Sequence, residues 1–161
     1  MISQKARYAF KALIYLARAG ERVSRQARDI AVAERIPQAF LEQILLELRR
    51  AGLVGSRRGR DGGHLLIKNP RSISFGQVLR LIDGPVAPLP CLSRTAYRPC
   101  DDCSDEATCG IRRVFGRAYE ANLDVLEAMT LADALEEGAA PGGVNEGELA
   151  PAARQRSSAA V

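Results

Sequence analysis

Apolar residues recur at helical spacing from the start of the chain. Ala6, Phe10, Leu13, Ile14 and Ala17 line one face, Ser3 stands where a cap would, and Gly20 closes the run. Ser24 offers a cap for a second, short helix that buries Ala27, Ile30 and Ala31. Pro37 opens a third helix at its first position, and Leu41, Ile44, Leu45 and Leu48 form a single stripe along it until Gly52. Two short helices joined by a tight turn, the second amphipathic, predict a helix–turn–helix.

Leu53-Val54 and Leu65-Leu66-Ile67 are short apolar runs flanking a turn of arginines and glycines, the pattern of a β-hairpin. A hairpin directly after a helix–turn–helix is a wing. Ser74 and Gln77 have the form of a capping box ahead of the stripe Phe75, Val78, Leu79 and Ile82, and Gly84-Pro85 ends that helix. Residues 85–109 are irregular and rich in Pro and Cys. A long helix follows from about Gly110 to Met129, with Ile111, Val114, Phe115, Ala118, Ala121, Val125 and Met129 on one side. Some 20 residues reach about 30 Å, longer than a small winged domain needs for its own core. Thr130 to Asp133 starts a last short helix. The fold class is therefore mainly α with a small β-hairpin. A winged helix–turn–helix (1–84) precedes a cysteine loop (85–109), the dimerisation and terminal helices (110–137) and a disordered Gly/Ala/Pro-rich tail (138–161).

Charge sharpens this picture. Residues 1–70 hold 14 Lys/Arg against 6 Asp/Glu, whereas residues 71–161 hold 9 against 13. A basic half joined to an acidic half suits a nucleic-acid reader with a separate sensing or pairing segment. Gln38, Glu42, Gln43, Arg49 and Arg50 lie off the apolar stripe of the third helix, with Gln38 and Glu42 on the turns that enter a major groove. Glutamate can accept from cytosine N4 and glutamine can pair with adenine. Arg57, Arg58 and Arg60 at the wing tip, beside Gly59, would reach phosphates or the minor groove, and Lys5, Arg7 and Lys11 would add sequence-independent affinity. Ser24 and Phe40, at the edges of the helix–turn–helix, complete the DNA-contact set. Read singly, these side chains are an ordinary solvated face; the wing tips the reading to double-stranded DNA. No run approaches the ~18 apolar residues of a membrane span, and the start lacks the apolar stretch of a secretory signal, so a cytoplasmic protein without a membrane partner is expected.

All four cysteines fall within 19 residues as Cys91-x8-Cys100-x2-Cys103-x5-Cys109. Disulfides rarely persist in a reducing cytosol, so such a cluster points to metal or redox chemistry. Thiolates select zinc or iron–sulfur clusters. Structural zinc usually draws two close pairs of ligands, but only one close pair exists here. The sole histidine, His64, falls in the wing, where a strand role is expected. Four thiols in a loop that also holds Asp101, Asp102, Asp105 and Glu106 argue against simple buried cysteines.

The segments Ser3-Gln4-Lys5-Ala6-Arg7-Tyr8-Ala9, Phe40-Leu41-Glu42-Gln43-Ile44-Leu45 and Leu48-Arg49-Arg50-Ala51-Gly52-Leu53-Val54, with Arg58-Gly59 followed by Gly62-Gly63, resemble the IscR/NsrR/RirA-type bacterial regulators from residue 1 to about 135. The resemblance implies a winged-helix homodimer whose long helices cross-pair and whose recognition helices read a two-fold operator. It also implies a 2Fe–2S or 4Fe–4S cluster whose state changes DNA affinity. It assigns base discrimination to Glu42, minor-groove entry to Arg58, and cluster ligation to Cys91, Cys103 and Cys109. Cys100 departs from the usual three cysteines. Some relatives complete the cluster with a carboxylate or other group from elsewhere, including the partner's N-terminal helix; residues 1–20 contain no Asp or Glu, which makes Cys100 a fourth ligand or a reserve thiol. His64 stands where an aromatic is expected.

Three functions follow as expectations. The first is a transcription regulator, a repressor, sensing iron, redox or nitric oxide through a cluster. The second is a winged-helix regulator that uses zinc or thiol oxidation. The third is an electron carrier or redox enzyme built on Cys100-x-x-Cys103, but no Ser/His/Asp set, phosphate loop or paired-carboxylate site supports catalysis.

Overall fold

The computed structural model describes residues 2–20, 22–59, 61–103 and 105–137. The expected tail and Arg60 lie outside them. In chain order the elements are α1 (Gln4–Arg18), α2 (Ala27–Glu34), α3 (Gln38–Arg50), β1 (Val54–Arg57), β2 (Gly63–Leu66), α4 (Phe75–Asp83), α5 (Gly110–Ala128) and α6 (Leu131–Glu137), with 3-10 turns at Pro70–Ser72 and Pro90–Leu92.

The core sits among α1, α2, α3 and α4. Leu13, Leu16, Ile30, Leu41, Ile44, Leu45 and Leu48 are fully buried there, so the stripes read from periodicity meet one another. Phe10 of α1 stacks on Phe75 of α4, ring centroids 4.5 Å apart. Ser3 caps α1 by accepting from the Ala6 amide at 3.0 Å, and Ser74 caps α4 by accepting from Gln77 N at 3.1 Å. The last helix returns to this core: Leu131 of α6 is fully buried, its amide donates to the Ile73 carbonyl at 3.0 Å, and Phe75 N donates to the Met129 carbonyl.

Two local expectations need correction. Gln26, not Ser24, occupies the N-cap position of α2, and no side chain caps that helix. The Ser24 hydroxyl instead donates to the Asp61 carbonyl at 2.6 Å, fastening the approach to α2 to the hairpin turn. Pro37 is the cap residue of α3 rather than its first helical residue, an extended φ/ψ that its ring also permits.

β1 and β2 pair antiparallel in the register Val54↔Leu66, Gly55↔Leu65, Ser56↔His64 and Arg57↔Gly63. Beyond the hairpin, His64 and Arg25 exchange backbone hydrogen bonds of 2.7 and 2.8 Å, which ties the wing to the residues before α2. Gly63 is required at this junction: its φ is +139°, and a Cβ there would lie 2.4 Å from the Arg25 carbonyl oxygen. No described helix is long and apolar enough to cross a membrane.

Candidate nucleic-acid interface and cysteine site

The polar face of α3 is exposed as its spacing requires: Gln38, Glu42, Gln43, Arg49 and Arg50 all lie open. Gln38 Nε2 donates to Glu42 Oε1 at 2.9 Å, so these two side chains form one unit on adjacent turns. Phe40 is half-buried and packs edge-on against Tyr8 of α1, centroids 5.8 Å apart, which fixes the first turn of α3 to the domain. On the hairpin, Arg57, Arg58 and Gly59 are exposed, and Gly59 takes a φ of +107° as the turn needs. Ser24 lies beside this turn through Asp61.

The wing and α3 are electrostatically joined at His64. Its imidazole is half-buried, and its Nδ1 is buried with no hydrogen-bond partner. Burial lowers its pKa below the ordinary 6.5, the Arg49 guanidinium lowers it further, and Glu42 opposes them. The imidazole is therefore neutral at pH 7.

The cations of α1 behave unequally. Lys5 pairs with Glu47 of α3 at 2.8 Å. Lys11 pairs with Glu34 of α2 at 3.4 Å and also donates to its carbonyl. Both hold α1 onto its neighbours. Arg7 is exposed and donates locally, to Gln4 Oε1 at 3.1 Å.

The cysteines gather at the N-terminal end of α5. Cys91 is buried in the Pro90–Leu92 turn, and Cys100 and Cys103 share a tight turn closed by Cys103 N donating to the Cys100 carbonyl at 3.2 Å. Cys109 is the N-cap of α5, its Sγ accepting from Arg112 N at 3.5 Å. Burial raises the pKa of Cys100 and the Cys91 thiol raises it further. Cys103 is raised by burial, then by Cys109, Glu106 and Cys91. Among the described residues, no three His, Cys, Asp or Glu side chains stand in a ready metal-holding arrangement. In donor chemistry alone the four cysteines, all soft sulfur, suit a thiophilic group.

Sequence reading missed Arg112 and its partners. Arg112 Nη2 donates to the Cys91 carbonyl at 3.4 Å, its Nε lies 3.3 Å from Glu106 Oε2, and Tyr97 Oη donates to Glu106 Oε1 at 2.5 Å. One signal was available. A cation in the first turn of a helix opposes the macrodipole and needs a local reason.

The structure accordingly presents a polar helix face and an arginine-tipped wing, and a cysteine loop whose Cys109 caps a long helix. The family model for Rrf2, an iron-dependent transcriptional regulator, matches residues 2–137. An rrf2-like HTH-type transcriptional regulator of Rhodobacter capsulatus is 52% identical over 141 residues, 86% of this chain and 94% of that protein. CymR of B. subtilis, described as the global cysteine regulator, superposes with a TM-score of 0.71 at 31% identity, over 85% of this chain and 97% of its own. IscR of T. potens superposes with a TM-score of 0.68 at 27% identity, over 86% and 88%. These matches bear out the expected winged-helix regulator and set aside the redox-enzyme alternative. The chain belongs to the Rrf2 family of transcriptional regulators.

Proposed function

We propose that this regulator is a homodimeric, cytoplasmic repressor whose operator affinity is set by an iron–sulfur cluster held by Cys91, Cys100, Cys103 and Cys109. The observation that carries the reading is the position of Cys109. The same sulfur that belongs to the thiol group also caps α5, accepting from Arg112 N. Drawing that sulfur into a ligand set changes the cap of the helix. It also reorders the loop that leads back, through Cys91, to the winged half. When bound, the cluster supplies a centre that responds to iron supply, oxidants or nitric oxide. The chain's own residues do the rest. Four thiols bind, with Cys100 filling the place that an acidic N-terminal helix would otherwise supply. Two copies align through the apolar side of α5. Gln38, Glu42 and Gln43 face the bases, while Arg49, Arg50, Arg57, Arg58 and Arg60 engage phosphate and minor groove, with Arg7 adding to them.

A second reading, thiol oxidation or zinc in place of a cluster, draws on two observations. Cys91 and Cys100 lie close enough for one thiol to shift the other's pKa, and a structural relative is a cysteine regulator. Anaerobic purification with iron and sulfide counts separates the two readings. The cluster reading expects coloured protein with both elements bound, and a shift of an operator fragment that differs between loaded and stripped protein. Colourless, folded, iron-free protein with the same DNA response would remove it.

A further inference from the structure

The two faces of the hairpin carry different chemistry. Val54 and Leu66 are buried in the core, and Ser56 and His64 follow them on the same side, so Arg57, Leu65 and Ile67 stand on the outer face. Gly55 leaves room for them there: a Cβ would lie 2.7 Å from Ile67 Cγ2 and 3.6 Å from Leu65 Cδ2. The chain before α2 runs beside β2 through the Arg25–His64 bridge, and this brings Arg22 to the outer face as well. Arg22, Arg57, Lys68 and Asn69, with Leu65 and Ile67, line a cavity of about 390 Å³. The three cations are exposed. Among the described residues no carboxylate lines this cavity, and none of the three cations is ion-paired. Asn69 Oδ1 already accepts from Arg71 N at 2.9 Å, which leaves Nδ2 to donate. Arg22 also holds a φ of +62°, a left-handed conformation that glycine or asparagine reaches at lower cost. A long cation kept at such a position points to a use for its charge.

We propose that this cavity is a phosphate site for DNA flanking the base pairs that α3 reads. Three cations gathered without a counter-charge repel one another, and a bound anion relieves that repulsion. For a wing, the anion at hand is the duplex backbone. Arg57 belongs both to the cavity and to the strand that leads into the tip, so the site is continuous with the DNA-facing wing. The outer face is turned from the core side of the hairpin, where α3 lies, and towards the next phosphates along the duplex. Arg22 and Lys68 therefore add sequence-independent affinity beyond the operator itself. The proposal rests on the wing as a DNA element, as read above, and on none of the cysteines.

The experiment uses the full chain as wild type, Arg22→Gln, Lys68→Gln and Arg58→Ala. An operator selected from a random duplex library is prepared in two lengths, one trimmed to its ends and one extended by about one helical turn, ~10 base pairs, on each side. Affinity is measured over a salt series on both. The wild type is expected to bind the long duplex more tightly and with the steeper dependence of log affinity on log salt. Arg22→Gln and Lys68→Gln should each lower that slope by about 1 per bound protomer on the long duplex and leave the short one nearly unchanged. A wild type indifferent to length, or variants that match it on the long duplex, overturns the proposal. Equal losses on both lengths place the two cations inside the operator and overturn it too. Inorganic phosphate that raises the melting temperature of the wild type but not of the variants, with no effect of duplex length, assigns the cavity to a free anion instead. Arg58→Ala reports the wing reading separately. If it binds both lengths as the wild type does, that reading fails; if it loses affinity on both while Arg22→Gln and Lys68→Gln do not, only this proposal fails.

Discussion

Glu42 Oε1 accepts a hydrogen bond from Gln38 Nε2 at 2.9 Å on the exposed face of α3, so neither side chain acts alone. A carboxylate is repelled by phosphates, and placing one on this face makes physical sense as a base reader. Glu42→Ala should therefore relax operator choice, removing about 1–3 kcal/mol of discrimination at one position. Gln38→Ala combined with it should cost less than the sum of the two. Binding to a set of singly permuted operators measures both. Equal loss on every sequence would contradict the reader role.

Arg58 and Lys5 make a contrasting pair. Arg58 is exposed on the wing tip, whereas Lys5 is engaged by Glu47 at 2.8 Å. Arg58→Ala is expected to weaken DNA binding on all sequences and to reduce the slope of log affinity against log salt by about 1. Lys5→Ala should leave that slope nearly unchanged and remove at most about 1 kcal/mol of stability. Titrations at several salt concentrations, with melts of the free protein, separate the two outcomes.

Glu127 of α5 is the joint between the long helix and the winged half. Arg80 donates to its carboxylate, and Ser74 Oγ donates to it at 3.2 Å. Gly76 lies so close that a Cβ would stand 2.7 Å from Glu127 Oε1. The Arg80 hydrogen bond chiefly holds the Glu127 pKa below its ordinary 4.5. A folded-state pKa below the unfolded value means that the stabilisation is complete above 4.5 and is lost as pH falls through the lower folded value. Glu127→Gln should cost about 0.5–1 kcal/mol at pH 7, the pair being partly exposed, and should flatten the acid limb of the stability curve. Thermal melts from pH 7 to 3 test this; parallel curves for wild type and variant would refute it.

His64 supplies a second pH signature in a different window. Burial first and Arg49 second depress its pKa, against Glu42, and Arg25 flanks it across the backbone bridge. Protonation is disfavoured in the folded state, so its contribution is present above 6.5 and declines as pH falls through the folded value. Between pH 7 and 5 the wild type should lose stability that His64→Phe retains. The same melts, run on that variant, show whether the difference lies in this range.

The stripes of α1, α3 and α4 were legible in the sequence because one apolar face against one core leaves a 3.6-residue period. The hairpin was legible because Gly62-Gly63 and the arginines have no role inside a helix. Ser24 misled because its hydroxyl satisfies a carbonyl 37 residues away instead of the helix next to it. Arg80–Glu127 and Ser3–Asp83 join residues 47 and 80 positions apart, and no local pattern encodes such pairs. The cysteine spacing announced soft ligation, yet the Tyr97–Glu106–Arg112 chain around it depends on how the loop folds back onto α5. Periodicity cannot describe that.

The apolar side of α5 carries the last prediction. Ile111, Val114, Phe115 and Val125 are 62%, 68%, 47% and 60% exposed, while only Tyr119 and Leu123 of this helix are buried against the rest of the chain. Ile111, Val114, Ala118, Ala121 and Val125 follow alternating steps of three and four residues, the spacing of a two-helix seam. The cost of leaving such a strip in water is removed when a second copy covers it, and a two-fold pair would set two wings on one duplex. Val114→Glu and Val125→Glu each place a charge on that seam without touching the winged core. Both should keep the helical circular dichroism of the wild type, sediment as monomers where the wild type sediments as a dimer, and bind a two-fold operator far more weakly than the parent. A monomeric wild type, or two variants that still sediment as dimers, would place the pairing surface elsewhere.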